Sequence, residues 1–252
     1  MAQKIPTFLL ALGSGVAYFV LGLDYWVLLA LLIVTAVIRF KASTRRIGQF
    51  SEMLLFFFSV WFLLDKFDIE YPYSLILILT AAVGLIFYEG PEWSEFYFAF
   101  GTTSKHVKLA MAVALVFSLL FGGWTYFNFG DLQNPVPYYW PLDALLIGGI
   151  GFSLYTAIMN EMLFRSFIHQ RARSAAGGEW AVAIQGVFYG VMHYHLPVTN
   201  GYSGVFVATL FGVTLGYLVK KSNSIYLSIV VHFVVILVVF IELVVLAKVH
   251  AP

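Results

Sequence analysis

Residues 153–173 read SLYTAIMNEMLFRSFIHQRAR, and here a carboxylate, Glu161, and a guanidinium, Arg165, lie inside a run otherwise fit for lipid. Charged groups at membrane depth cost several kcal/mol, roughly 2.5–3.5 each on insertion scales, unless they are paired or reach water. Their four-residue spacing puts both on one helical face, where they can pair. The run begins near residue 142, so 142–170 reads as one helix of about 43 Å at 1.5 Å per residue, longer than a hydrocarbon core of about 30 Å. Its end must tilt or protrude, and Arg171 and Arg173 mark that end.

The rest of the chain is of the same kind. Of 252 residues, 61% are hydrophobic and 11% charged, with a mean hydropathy of +0.89; soluble domains carry about 25% charged residues. The composition therefore predicts an all-α, polytopic transmembrane helical bundle. Spans are expected at about 7–23, 25–40, 52–64, 72–88, 107–129, 142–170, 178–195, 203–221 and 225–248. That makes nine helices, with eight as the alternative, since the first two meet at Asp24 with almost no loop and the third is short. Apolar runs of this length recur along the whole chain, so the first reads as a permanent helix and not as a cleaved leader. The absence of cysteine excludes disulfides, thiolate nucleophiles and thiolate metal sites.

Lys and Arg set the expected orientation. With the N-terminus cytoplasmic, Lys4, Arg39, Lys41, Arg45, Arg46, Lys105, Lys108, Arg171, Arg173, Lys220 and Lys221 all fall inside, leaving only Lys66 and Lys248 outside. This distribution reads as a topology determinant, with the lipid bilayer as the surrounding partner and no nucleic-acid surface. The stretch 89–106 mixes aromatic and acidic residues, as a segment lying at the interface would, and 134–141, NPVPYYWP, reads as a rigid turn with an aromatic belt. Neither is a catalytic motif. There is no internal repeat and no soluble domain, so one compact membrane domain is expected, with residues 1–106 as accessory helices and an interfacial segment and 107–252 as the core.

Two further helices carry polar groups at membrane depth. Residues 180–195, WAVAIQGVFYGVMHYH, place Tyr189 and His193 four apart on one face, with His195 beyond them and Pro197 ending the helix. Residues 225–240 hold His232 alone among aliphatic side chains. Imidazole needs partners for both nitrogens, so in hydrocarbon it is seldom idle. A carboxylate, a guanidinium and two imidazoles on three helices suggest a converging site.

The order NEMLFRSF, WAVAIQGVFYGVMH and LFGVTLGYLVKKSNSIYLSIVVH resembles the three-motif core of the CAAX-prenyl-endopeptidase-like membrane proteins, the CPBP or Abi family. That family's pattern is EExxxR, FxxxH and HxxxN on successive helices. The similarity covers residues 107–248, and the N-terminal helices lie outside it. The resemblance implies a glutamic-type intramembrane endopeptidase, in which glutamate and histidine activate water and further histidine and asparagine groups stabilise the oxyanion. Such an arrangement needs no metal and no cofactor, and the chemistry is reasonable from the residues: a carboxylate can act as general base, and imidazoles aimed at developing charge supply electrostatic stabilisation.

The match is incomplete. Glu161 and Arg165 fit the second Glu and the Arg of the first motif, but Asn160 stands where the first Glu, the usual base, is expected. Tyr189 replaces the Phe of the second motif, His193 and His232 fit the two histidines, and Ile236 stands in place of the Asn. A rewired site would use Glu161 as base with His193 assisting, His232 as oxyanion donor, and the Asn160 amide or Tyr189 hydroxyl as the replacement donor. Adjacent helix positions point about 100° apart, so Glu161 cannot simply face where Asn160 faces.

Other readings stand beside this one. Glu161 and Arg165 can be a structural ion pair. A zinc site built from Glu161, His193, His195 and His232 is disfavoured, because HxH on a helix splays its rings about 200° apart. A degenerate membrane scaffold is the non-enzymatic alternative, and a transporter is disfavoured by the lack of repeats or paired broken helices. His195 is expected at the interface, His106 and His169 in cytosolic loops or termini, and Glu242 near the outer face. Gly212 and Gly216 read as a close-packing GxxxG. The expected substrate is a membrane-protein or lipidated peptide, and the expected location a prokaryotic inner membrane.

Overall fold

The computed structural model describes residues 3–39, 42–69, 73–89, 97–98, 100–131, 139–196 and 198–249. Residues 90–96 of the stretch 89–106, residues 134–138 of the turn, Lys41 and Pro197 lie outside the described residues. The described chain is all-helical, and the elements run α1 (Lys4–Gly15, continued by a π turn, Val16–Val20), α2 (Asp24–Ile38), α3 (Arg45–Lys66), α4 (Tyr73–Glu89), α5 (Thr103–Asn128), α6 (Leu142–Glu161), a π segment (Met162–Ile168), α7 (His169–Ala176), α8 (Gly178–Met192), α9 (Gly201–Ser222) and α10 (Tyr226–Val249). Because α6, the π segment and α7 form one continuous rod, these make nine rods in the order read from the apolar runs. Five of them are long and apolar enough to cross a membrane: Arg45–Lys66, Thr103–Asn128, Leu142–Ala176, Gly201–Ser222 and Tyr226–Val249. Lys4–Val20 and Asp24–Ile38 are apolar but shorter.

Two boundaries differ from the sequence expectation for physical reasons. Helix α3 starts at Arg45, not near residue 52, because its polar first turns are held in place. Arg39 Nε at the end of α2 pairs with Glu52 Oε2 at 2.6 Å, and Arg46 donates to the Ser174 carbonyl of α7. The α6 rod continues past residue 170 to Ala176 and stops at Gly177, whose φ of +89° suits glycine.

The main apolar cluster joins N-terminal and C-terminal halves, from Ala11, Phe19, Phe50 and Phe58 through Phe164 and Phe188 to Phe211, Val231 and Val239, and a smaller one joins Tyr97, Val219 and Ile225. Within the main cluster α8 and α9 approach most closely. A Cβ at Gly186 would lie 2.6 Å from the Val213 backbone nitrogen, and one at Gly190 would lie 2.7 Å from the Val205 carbonyl oxygen. Small residues at these crossings let backbones meet where side chains would hold them apart. Gly212 faces Gly186 across this crossing, and a Cβ at Gly216 would run into Gln185, so the GxxxG of α9 lies in this seam. Helix α10 packs on α5 and on α6. This sandwich places the α6–π junction, the end of α8 and the first half of α10 around a common centre.

Candidate active site

Glu161 is the last residue of α6 before the rod widens into the π segment, where hydrogen bonding shifts to i→i+5. Its carboxylate and the Arg165 guanidinium are both fully buried, with Arg165 Nη1 3.2 Å from Glu161 Oε1. His232, on α10, comes from the other side and sets Nδ1 2.7 Å from the same oxygen. A carboxylate oxygen accepts, so His232 Nδ1 carries the proton and, in the neutral ring, Nε2 accepts. Tyr189, on α8, supplies its partner: the hydroxyl donates to His232 Nε2 at 3.3 Å. Glu161 Oε2 has no hydrogen-bond partner among the described residues.

The Tyr189 ring does a second job. Arg165 Cζ lies 4.7 Å from its centroid and 5.8 Å from that of Phe164. Stacking on aromatic faces offsets part of the desolvation of a buried guanidinium, which is weakly hydrated for a cation. Phe211 closes the far side, edge-on to His232 at 5.2 Å.

His193 sits in the 3₁₀ turn that follows α8. It is half-buried, its ring 4.4 Å from that of Tyr189, and Nδ1 donates to the Tyr189 carbonyl at 2.8 Å. A carbonyl can only accept, so the neutral tautomer leaves His193 Nε2 with a free lone pair. Glu161, Arg165, Tyr189 and His232 thus form one connected group, and His193 joins it through Tyr189. Asn160 does not, because its amide donates back to the Thr156 carbonyl of its own helix at 2.9 Å. Ile236, one turn after His232, adds no polar group.

His195 is exposed and lies in the turn beyond the connected group. Among the described residues, no three His, Asp or Glu side chains are placed to hold a metal ion. Glu242 packs instead against α5, where the missing side chain of Gly122 admits its carboxyl: a Cβ there would be 2.9 Å from Glu242 Oε2. His169 departs from the sequence expectation. It is fully buried inside the rod, and its ring stacks on Tyr97 with centroids 5.7 Å apart. Sequence reasoning also passed over Ser228, which is fully buried, donates its hydroxyl to the Ile225 carbonyl at 2.8 Å and lies near the Glu161 carboxylate. Its position four residues before His232 was the available signal.

This geometry lies within the segment that the comparisons single out. Residues 141–238 match the family described as type II CAAX prenyl endopeptidase, Rce1-like. The matched segment runs from the start of α6 to the middle of α10 and so contains every member of the connected group. The chain is therefore similar, over this segment, to a family of CAAX-protease-like membrane endopeptidases, in agreement with the resemblance carried by its three motifs. No curated protein and no solved structure matches the chain.

Proposed function

We propose that the protein is an intramembrane endopeptidase that hydrolyses a membrane-embedded or membrane-anchored peptide with Glu161 as the water-activating base. The observation that carries this reading is the asymmetry of the Glu161 carboxylate. Oε1 is fixed by His232 and Arg165, while Oε2 is unbonded and fully buried. A base held at one oxygen and free at the other is oriented for proton transfer. Water gives a proton to Oε2 as its oxygen bonds the peptide carbonyl carbon; the carbon–nitrogen bond then breaks and the proton passes to the leaving amine. Arg165 and the Tyr189 hydroxyl supply donors for the oxyanion. The free Nε2 of His193 is a second acceptor beside them. The roles of Glu161, Arg165, Tyr189, His193 and His232 belong to this proposal, as do the division into accessory helices 1–106 and core 107–252, the prokaryotic inner membrane and the cytoplasmic N-terminus.

A second reading, a catalytically degenerate membrane scaffold, is favoured by one observation: Asn160 replaces the expected base, and its amide is engaged within its own helix. Both readings are tested by incubating detergent-purified protein with lipidated and membrane-anchored peptides and measuring cleavage in wild type, Glu161→Gln and Asn160→Glu. Loss of roughly 10²–10⁴ in rate with Glu161→Gln, the usual range for a general base, supports the protease. Silence of the wild type combined with cleavage by Asn160→Glu establishes the scaffold.

A further inference from the structure

Glu161, Arg165, His169 and Arg173 recur at four-residue intervals along the single rod formed by α6, the π segment and α7. In an ideal α-helix a four-residue step overshoots a full turn by about 40°, so four such positions would drift around the rod. The wider π turns between Met162 and Ile168 work against that drift. The result is a polar column, buried from Glu161 to His169 and exposed at Arg173, that starts at the candidate site and ends at the basic end of the bundle, where Arg46 meets Ser174 and Lys220 pairs with Glu179. Glu161, Arg165 and His169 are all at 0% exposure.

The column carries many unused hydrogen-bonding atoms. Glu161 Oε2, Arg165 Nε and Nη2 and both His169 ring nitrogens lack a hydrogen bond among the described residues, while Arg165 Nη1 is held by its ion pair with Glu161. Each such buried group costs about 1–3 kcal/mol when left without a partner, and chains of them are where internal water is held. Phe164, beside Arg165, and Phe211, edge-on to His232, are apolar walls that offer water nothing.

One residue stands at the end of the column. Tyr97 stacks on His169 at an interplanar angle of 12°, and its hydroxyl accepts from Arg173 Nη1 at 2.7 Å. Its carbonyl accepts from the Ile225 amide at 3.1 Å, which fastens it to the start of α10. It is 5% exposed and holds a φ of +60°, a left-handed conformation unusual for a bulky residue.

From this arrangement we infer that the face formed by Glu161, Arg165, His169 and Arg173 is the route by which water reaches the site from the basic end, and that Tyr97 closes it. The inference rests on the reading of Glu161 as the water-activating group. Hydrolysis at a fully buried carboxylate requires such a route, and this face is lined by charged and polar side chains from the site to the basic end.

The chain has no cysteine, so Ser228→Cys places a single thiol beside Glu161. Its modification by anionic 2-sulfonatoethyl methanethiosulfonate, suited to a cationic path, is timed in lipid nanodiscs with Tyr97 present and in Tyr97→Gly and Arg173→Gln backgrounds. Lipid-soluble N-cyclohexylmaleimide is run alongside. Removing Tyr97 is expected to raise the rate with the anionic reagent by roughly tenfold, the equivalent of one lost closing hydrogen bond, and Arg173→Gln by less. Adding His169→Phe to Tyr97→Gly is expected to cancel the gain, while the lipid-soluble reagent reacts at the same rate throughout. Equal rates with the anionic reagent across the Tyr97 and Arg173 backgrounds, including no reaction in any, overturn the inference. Arg173→Gln keeps every apolar contact of Tyr97 and decides the matter alone if Tyr97→Gly aggregates. Labelling reads the route in a protein that cleaves peptides and in one that does not, so its failure is distinct from failure of the protease reading.

Discussion

His232 Nδ1 lies 2.7 Å from Glu161 Oε1 although the two residues are 71 positions apart in the chain. That one bond ties the middle of the α6–π–α7 rod to α10 and gives both side chains a defined state. The carboxylate is oriented by two donors at one oxygen, and the imidazole presents Nε2 to Tyr189. Charge that is buried, paired and still left with one unbonded oxygen is poorly explained by packing alone, since well-packed apolar residues would fill the same space at less cost.

The pairing makes either partner costly to lose alone. Glu161→Gln leaves the Arg165 guanidinium buried without a counter-charge, and Arg165→Met leaves the carboxylate facing only His232. Each single substitution is expected to destabilise by about 3–5 kcal/mol, the range for breaking a buried ion pair. The double variant is expected to cost far less than the sum, because no uncompensated charge remains. Denaturant unfolding of the four proteins in one detergent checks this, and additive losses would show that the two side chains do not interact.

A positively charged guanidinium 3.2 Å from Glu161 Oε1 competes with any cation for that oxygen, and His232 Nδ1 holds the same atom through its proton. Peptide cleavage is therefore expected to stay within about twofold when chelator is added, whereas an enzyme relying on a metal-bound water would stop. Metal content measured on the same samples completes the check.

The helices were legible because the chain writes them in apolar runs broken by basic, Gly and Pro clusters, and Glu161, Arg165, His193 and His232 stood out as polar groups in such runs. What the sequence could not convey came from contacts between distant segments. The start of α3 lay outside the expected span, where Arg45 and Arg46 interrupt the apolar run, and only the partners on α2 and α7 hold that turn in place. His169 looked solvated among Gln170, Arg171 and Arg173, and it is covered by Tyr97 from more than seventy residues away. Nor does spacing alone say that Asn160 turns back to Thr156 while its neighbour Glu161 turns inward.

Close approach of α8 and α9 gives a prediction about stability that is independent of chemistry. Gly186→Ala would set a methyl 2.6 Å from a backbone nitrogen of α9, which cannot move without the helix. A loss of about 1–3 kcal/mol is expected, the usual cost of overpacking. Gly123, on α5, has nothing within 4 Å of a Cβ, so Gly123→Ala is expected to gain about 0.5–1 kcal/mol from helix propensity. Thermal unfolding of the two variants compares them, and equal shifts would mean that the helices are not packed as described.

Tyr189 offers the sharpest separation of structure from chemistry, because its hydroxyl and its ring face different partners. Tyr189→Phe removes the donor to His232 Nε2 but keeps the face under Arg165. If the hydroxyl turns from His232 to the oxyanion during attack, kcat falls by roughly 10²–10³, as when one oxyanion donor is removed. KM then stays nearly constant, since the interaction is made only in the transition state. Stability changes by about 0.5–1.5 kcal/mol, the net value of one hydrogen bond. Tyr189→Leu loses the cation–π contact as well and is expected to cost a further 0.5–2 kcal/mol or so. Measuring kcat, KM and unfolding on both variants separates these effects. A Tyr189→Phe protein that unfolds normally and cleaves at the wild-type rate removes the hydroxyl from the mechanism and leaves Arg165 as the donor to the oxyanion.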